Sequence, residues 1–176
     1  MIASKKESEF KLIESAEDQD VYIISKSLKE KWFNYLWQSL AAGAIMFLML
    51  YVFSEIIALI ILAGVGSTFF TIFALPKLRT ASNRNILGSY LICITAGLFC
   101  TYIYLPSLSG GVAISIATLL MVITDTEHPP AAGVALGLSM TPCIEDAYGG
   151  SLFAFTGAVV AVFLRNLLSR WLEDLV

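Results

Sequence analysis

The sequence predicts an all-α fold: a polytopic membrane bundle of four full spans plus a broken, re-entrant pair of half-length helices. Composition gives the first reason, because the 176-residue chain is 57% hydrophobic and only 14% charged, with a mean hydropathy of +0.78. Uneven charge gives the second, since 13 of the 25 acidic and basic residues lie in the first 31 positions. A soluble domain of this size would carry far more charge. We therefore expect an integral membrane protein.

The charged start of the chain predicts a separate segment. Residues 1–31 mix both signs of charge, and we expect a polar cytoplasmic extension outside the bilayer. This segment is too polar for a signal peptide, so the first hydrophobic run should stay as a membrane helix. Aromatic residues then cluster beside Lys31, as is typical of a membrane–water interface. Residues 32–172 are predicted to form the transmembrane domain and residues 173–176 a short tail.

The apolar runs define the spans, because a membrane helix needs about 20 apolar residues. Two shorter runs, residues 111–124 and 131–141, are each too short to cross alone. The first two long runs are separated only by Ser54 and Glu55, which predicts a tight helical hairpin. Four runs reach the required length: Leu36–Phe53, Ile56–Leu75, Asn85–Leu105 and Gly149–Leu164 with its continuation to Trp171.

The basic residues orient these spans by the positive-inside rule. They place the amino terminus, the 77–84 loop and the carboxy terminus in the cytoplasm. The chain is then outside at Pro106 and returns inside only once by Arg165. If residues 111–141 form two half-length helices that enter and leave from the outer side, the chain crosses the membrane only once between Pro106 and Arg165. The alternative is that 111–124 with its flanking residues crosses fully, which leaves the carboxy terminus outside.

The most informative segment runs from Glu127 to Ala132, with the sequence Glu-His-Pro-Pro-Ala-Ala. Charge and broken backbone are both costly at membrane depth, so their coincidence suggests a site. Pro129 should end the preceding helix, and Pro130 suits the first turn of a new one. The N–H groups behind it would form an anion site at a helix N-terminus. The predicted substrate-binding residues are Thr124, Thr126, His128, Ala131, Ala132 and Gly133.

Two acids complicate that prediction. Asp125 and Glu127 would repel an anion unless at least one is protonated or paired, so we expect them either to handle a proton or to cap the next helix. His128 also has a functional and a structural interpretation. It could donate to the anion or carry a proton, or it could make a structural hydrogen bond that holds the break together.

The sequence gives little indication of metal binding, catalysis or nucleic-acid binding. His128, Asp125 and Glu127 supply too few ligands for zinc, so no metal and no other cofactor is expected. Nothing in the sequence indicates a nucleophile, and we expect no enzyme. No basic cluster is dense enough for nucleic acid.

The second polar signal is the loop before the third span. Arg79, Arg84 and Asn85 have two compatible interpretations. The loop sets the topology, with Asn83 or Asn85 capping the helix, or the arginines form a pathway mouth that attracts anions.

Two regions resemble the HPP family of integral membrane proteins. They are the stretch Thr124–Gly133, which contains His-Pro-Pro, and the upstream pattern Pro76, Arg79, Asn85 and Gly88. The resemblance covers roughly residues 32–172. It implies a compact helical membrane domain, and the link of plastid and cyanobacterial relatives to nitrite implies a small-anion transporter. Family sequences often read Thr-Gly-Thr-Leu before His-Pro-Pro, and here Asp125 and Glu127 replace the Gly and the Leu.

The expected function is therefore a transporter or channel for a small inorganic anion, with nitrite the first candidate and proton coupling expected. The alternative is a non-transporting membrane scaffold or sensor, in which 124–133 is only a structural joint. We expect a prokaryotic inner-membrane location, with the lipid bilayer and the anion as partners. A homo-oligomer is also expected, since one small bundle gives little wall for a pathway.

Overall fold

The computed structural model describes residues 59–175 and, before them, residues 32–34, 36–38, 40–41 and 44–45. The described residues between 32 and 45 are helical. No strand occurs in this part of the chain, which confirms the all-helical prediction. The predicted extension and most of the predicted first span lie outside the described residues. The helices are α1 (Leu59–Ala74), α2 (Asn83–Cys100), α3 (Pro106–Ile123), α4 (Pro129–Ser139) and α5 (Ile144–Leu168), with a 3₁₀ turn at Arg79–Ala81.

Local chemistry explains where the helices begin. The Ser82 side chain caps α2 by accepting a hydrogen bond from the Asn85 N–H at 3.3 Å, so neither Asn83 nor Asn85 is the cap. Proline opens both α3 and α4, where its missing N–H leaves no helical bond unmade. Glu145 and Asp146 lie in the first turn of α5, where their charge complements the helix dipole.

Contacts at the helix ends define the path of the chain. One end of the bundle, the polar end, contains the 75–82 loop, the 124–128 linker, Arg165 and the 172–175 segment. The Arg165 side chain donates to the Asn83 side chain at 3.0 Å, and the Leu175 N–H donates to the Ala74 carbonyl at 2.9 Å.

The opposite end joins α2, α3 and α4. The Ser109 hydroxyl lies 2.6 Å from the Cys100 carbonyl oxygen and 2.8 Å from that of Ser139. The α3–α4 hairpin therefore starts and finishes at this opposite end, and α5 brings the chain back to the polar end.

The bundle is held together by close helix contacts around α4, which packs against α1, α2 and α3. Glycines permit this approach. A Cβ on Gly97 would lie 2.9 Å from the Ala135 carbonyl oxygen, and one on Gly137 would lie 2.9 Å from the Ile61 nitrogen. Small residues at such interfaces let membrane helices pack backbone to backbone. The core that results is largely apolar and close-packed.

Helix lengths change the predicted set of spans. Among the described residues, two helices are long and apolar enough to cross a membrane: Pro106–Ile123 with 18 residues and Ile144–Leu168 with 25. The prediction that the 111–124 run is too short was wrong, because Pro106 starts this helix and lengthens it at its beginning. The third predicted span is shorter than expected, since α2 ends at Cys100 rather than Leu105; proline disfavours helix at the residue before it. The described helices therefore do not confirm the prediction of four full spans.

Candidate functional site

The junction, residues 124–128, connects α3 to α4 at the polar end. Its backbone continues from α3 through hydrogen bonds from the Thr124 N–H to the Leu120 carbonyl (2.9 Å) and from the Thr126 N–H to the Met121 carbonyl (3.0 Å). Asp125 lies between them with a φ of 56°, in the left-handed region that turns the chain. The hydroxyls of Thr124 and Thr126 are 2.7 Å apart. They satisfy each other within the turn.

His128 is fully buried at the end of the junction. Its Nδ1 lies 2.7 Å from the carbonyl oxygen of Thr80 in the 75–82 loop. Its Nε2 lies 2.9 Å from the hydroxyl of Thr68 in α1. Both ring nitrogens therefore have protein partners, and the ring connects the start of α4 to α1 and to the loop. The structural hydrogen bonds considered for this residue are present.

The start of α4 differs from the predicted anion site. Pro129 and Pro130 occupy its first two positions and have no N–H to offer. The Ala131 N–H donates to the His128 carbonyl at 3.0 Å, and Ala131 is fully buried. A Cβ on Gly133 would lie 3.6 Å from the Gly64 Cα, so this side of α4 faces α1. The bare helix N-terminus predicted at Ala131–Gly133 is therefore not found, because prolines and packing occupy it.

The acid at position 125 pairs with the two predicted mouth arginines. The Asp125 carboxylate binds the Arg79 guanidinium and lies 3.8 Å from Nη1 of Arg84. Nη2 of Arg84 also donates to the Thr124 carbonyl at 2.9 Å. No side chain makes a capping hydrogen bond at the start of α4. The predicted capping role of Asp125 or Glu127 is therefore wrong, and Asp125 instead ties the junction to the basic loop.

Asn85 supports the junction from α2 rather than lining a mouth. It is 3% exposed, and its amide nitrogen donates to the Glu127 carbonyl at 3.0 Å. Its side-chain oxygen accepts from the Ser82 hydroxyl at 3.0 Å. The Glu127 side chain itself is exposed. Asn85 therefore fixes the backbone that presents this carboxylate.

A cavity of about 260 Å³, the junction cavity, lies where α3 meets the junction and α4. It brings together four residues predicted from the sequence, Glu127, His128, Pro129 and Ala132. The remaining predicted residues do not line it. The sequence missed the residues that α3 supplies, although their spacing before the break places them on one helix face. The lining residues are Thr118, Met121, Val122, Glu127, His128, Pro129 and Ala132.

Comparison with known proteins gives one match. The family model described as HPP, transmembrane region, matches residues 27–174, which is most of the chain. No curated protein and no solved structure matches the chain.

Proposed function

Since the chain belongs to the HPP family of membrane proteins, we propose that it carries a small inorganic anion across the membrane, with nitrite the first candidate. The observation that carries the proposal is the junction cavity, in which an exposed carboxyl group and the polar junction adjoin the apolar face of α3. A few polar groups that converge on an apolar wall are the usual composition of a small-ligand site. The proposed binding site is therefore this cavity rather than the start of α4.

Two arginines support the choice of an anion. The side chains of Arg79 and Arg84 are 66% and 68% exposed, and they share the single carboxylate of Asp125. Two arginines that share one carboxylate leave local positive charge beside the junction, which attracts anions by steering. In this proposal the arginines concentrate the anion at the polar end, and Asp125 keeps them beside the junction.

Glu127 supports coupling to a proton. An ionised carboxylate at the cavity repels an anion, whereas a protonated one does not. Anion occupancy is therefore favoured when Glu127 carries a proton. We propose that one proton enters with each anion, so that an inward proton gradient drives inward anion flux.

The proposed path follows the α3–α4 side of the bundle, because the described core is apolar and close-packed. The 11 residues of α4 extend about 16 Å, against roughly 30 Å for the hydrocarbon core of a bilayer. Non-helical backbone on both sides of α4 completes the return of the chain. We propose that a second copy covers this side and that the polar end faces the cytoplasm, as the positive-inside rule requires.

Nitrite uptake into lipid vesicles containing the purified chain tests the proposal. We expect protein-dependent uptake that an inward proton gradient increases. Protein-free vesicles under the same gradient correct for nitrous acid that crosses lipid unaided, and formate and chloride test selectivity. Uptake equal to that of protein-free vesicles for every anion would reject transport.

A membrane scaffold is the second candidate, and the satisfied junction favours it. Both nitrogens of His128 are hydrogen-bonded and Asp125 is paired, as a rigid joint requires. Deletion of residues 1–30 separates the two candidates. A transporter should keep its flux without this segment, whereas a scaffold that uses it to bind a partner should lose that partner.

A further inference from the structure

A buried chain of hydrogen bonds connects three helices through His128. The Tyr90 hydroxyl of α2 lies 2.7 Å from the Thr68 hydroxyl of α1. The Thr68 hydroxyl lies 2.9 Å from Nε2 of His128, whose Nδ1 is 2.7 Å from the Thr80 carbonyl oxygen. All three side chains are at most 1% exposed. Such a chain has to satisfy its donors and acceptors internally.

The positions of the hydrogens follow from the partners. A carbonyl oxygen only accepts, so Nδ1 of His128 carries a hydrogen and donates it to Thr80. In a neutral ring Nε2 is then an acceptor, and Thr68 donates to it. Tyr90 in turn donates to Thr68. We infer that Thr68 and Tyr90 are positioning residues that hold His128 as the neutral, Nδ1-protonated tautomer.

A charged ring fits this site less well. It would donate from Nε2 to the Thr68 hydroxyl, which would then have to donate either to the Gly64 carbonyl at 3.2 Å or to the Tyr90 hydroxyl at 2.7 Å. The imidazolium would then be buried against neutral acceptors alone. Buried charge without a paired charge is strongly unfavourable. The two carboxylates of this region are turned elsewhere, since Asp125 binds Arg79 and the Glu127 side chain is exposed.

His128 and Glu127 therefore have different roles at the junction cavity. His128 is a fixed hydrogen-bonding element, and Glu127 is the remaining titratable group that lines the cavity. The tautomer of His128 holds whether or not the protein transports an anion. The assignment of proton handling to Glu127, and not to His128, rests on the proposed function.

Nitrogen-15 NMR of histidine tests the tautomer directly, because the chain contains one histidine. The full chain, labelled with ¹⁵N-histidine and purified through a histidine-free tag, is measured in lipid bilayers at neutral pH. We expect a protonated, pyrrole-type signal from Nδ1 and an unprotonated, pyridine-type signal from Nε2. A neutral ring protonated at Nε2, or a ring protonated at both nitrogens, would overturn the inference. This measurement does not involve anion flux. The tautomer inference can therefore be wrong while the transport proposal holds, and the reverse.

Substitutions test the positioning residues. Thr68→Val removes the donor to Nε2 and should shift the Nε2 signal toward that of a pyridine-type nitrogen without a hydrogen-bond donor, whereas Thr68→Ser should restore the wild-type spectrum. Tyr90→Phe should shift the Nε2 signal less, because Tyr90 acts through Thr68. Thr71→Val is the control, since the Thr71 hydroxyl donates to the Ser67 carbonyl of its own helix at 2.9 Å and is not part of the chain of hydrogen bonds through His128. An Nε2 signal unchanged in Thr68→Val would overturn the role of Thr68, and the wild-type spectrum still decides the tautomer if that variant fails to fold.

Discussion

Asp125 turns the chain at the end of α3 with a φ of 56°, where most L-residues are strained and glycine is not. Aspartate is one of the few other residues that tolerate this conformation. Its carboxylate also binds Arg79 and approaches Arg84. One residue thus combines the backbone turn with the ionic contact to the loop.

Two substitutions separate these contributions at position 125. Both Asp125→Gly and Asp125→Ala lose the exposed ion pair, which contributes at most about 1 kcal/mol. Only alanine keeps the strain, so we expect it to be less stable than glycine by about 1 kcal/mol. Thermal unfolding in detergent measures the difference. An alanine variant as stable as the glycine variant would mean that the turn is not strained.

For single residues, the sequence indicates which residue is unusual but not what it contacts. His128 and the prolines are recognisable from composition alone. Thr68 lies 60 positions before His128 in the chain, and nothing in its apolar surroundings distinguishes it from other helix hydroxyls. The pairing depends on how α1 and α4 pack. The error at Ala131 has a similar cause, since its N–H is satisfied locally and its side chain is covered by tertiary packing.

Helices α2 and α4 meet where Gly97 faces the backbone of Ala135. Gly97→Ala would bring a methyl group to 2.8 Å from the Leu138 Cβ and 2.9 Å from the Ala135 carbonyl. Such overpacking costs about 1–3 kcal/mol, so we expect a lower unfolding temperature. Thermal unfolding in detergent measures the effect.

Gly111 provides the matched control. It also lies within a helix, but a Cβ there would meet nothing within 4 Å. Gly111→Ala should leave stability unchanged or raise it by about 0.5–1 kcal/mol, because alanine favours helix. Equal effects of the two substitutions would contradict the packing described for α2 and α4.

Element existence could be predicted better than element ends. An apolar run predicted each of the helices α1 to α5, and the break at Pro129 was recognised. The start of α3 was misplaced because proline is compatible with both a helix end and a first helical turn. Only the preceding turn, which ends α2 at Cys100, decides between them.

The orientation of the whole molecule in the membrane can be tested with the native cysteines. Cys143 is exposed near the end opposite the polar end, whereas Cys93 and Cys100 are buried. If the polar end is cytoplasmic, a membrane-impermeant maleimide should label Cys143 on intact cells. Cys143→Ser should abolish that labelling. Labelling that requires permeabilised cells would reverse the proposed orientation.

Proton-driven nitrite flux in Glu127→Gln tests the central claim most directly. Glu145→Gln is its control, because Glu145 is also exposed but lies in the first turn of α5 at the opposite end. We expect wild type and Glu145→Gln to respond to an inward proton gradient, and Glu127→Gln to retain protein-dependent flux that no longer responds. Full stimulation in Glu127→Gln, or no protein-dependent flux in the wild type, would contradict the account.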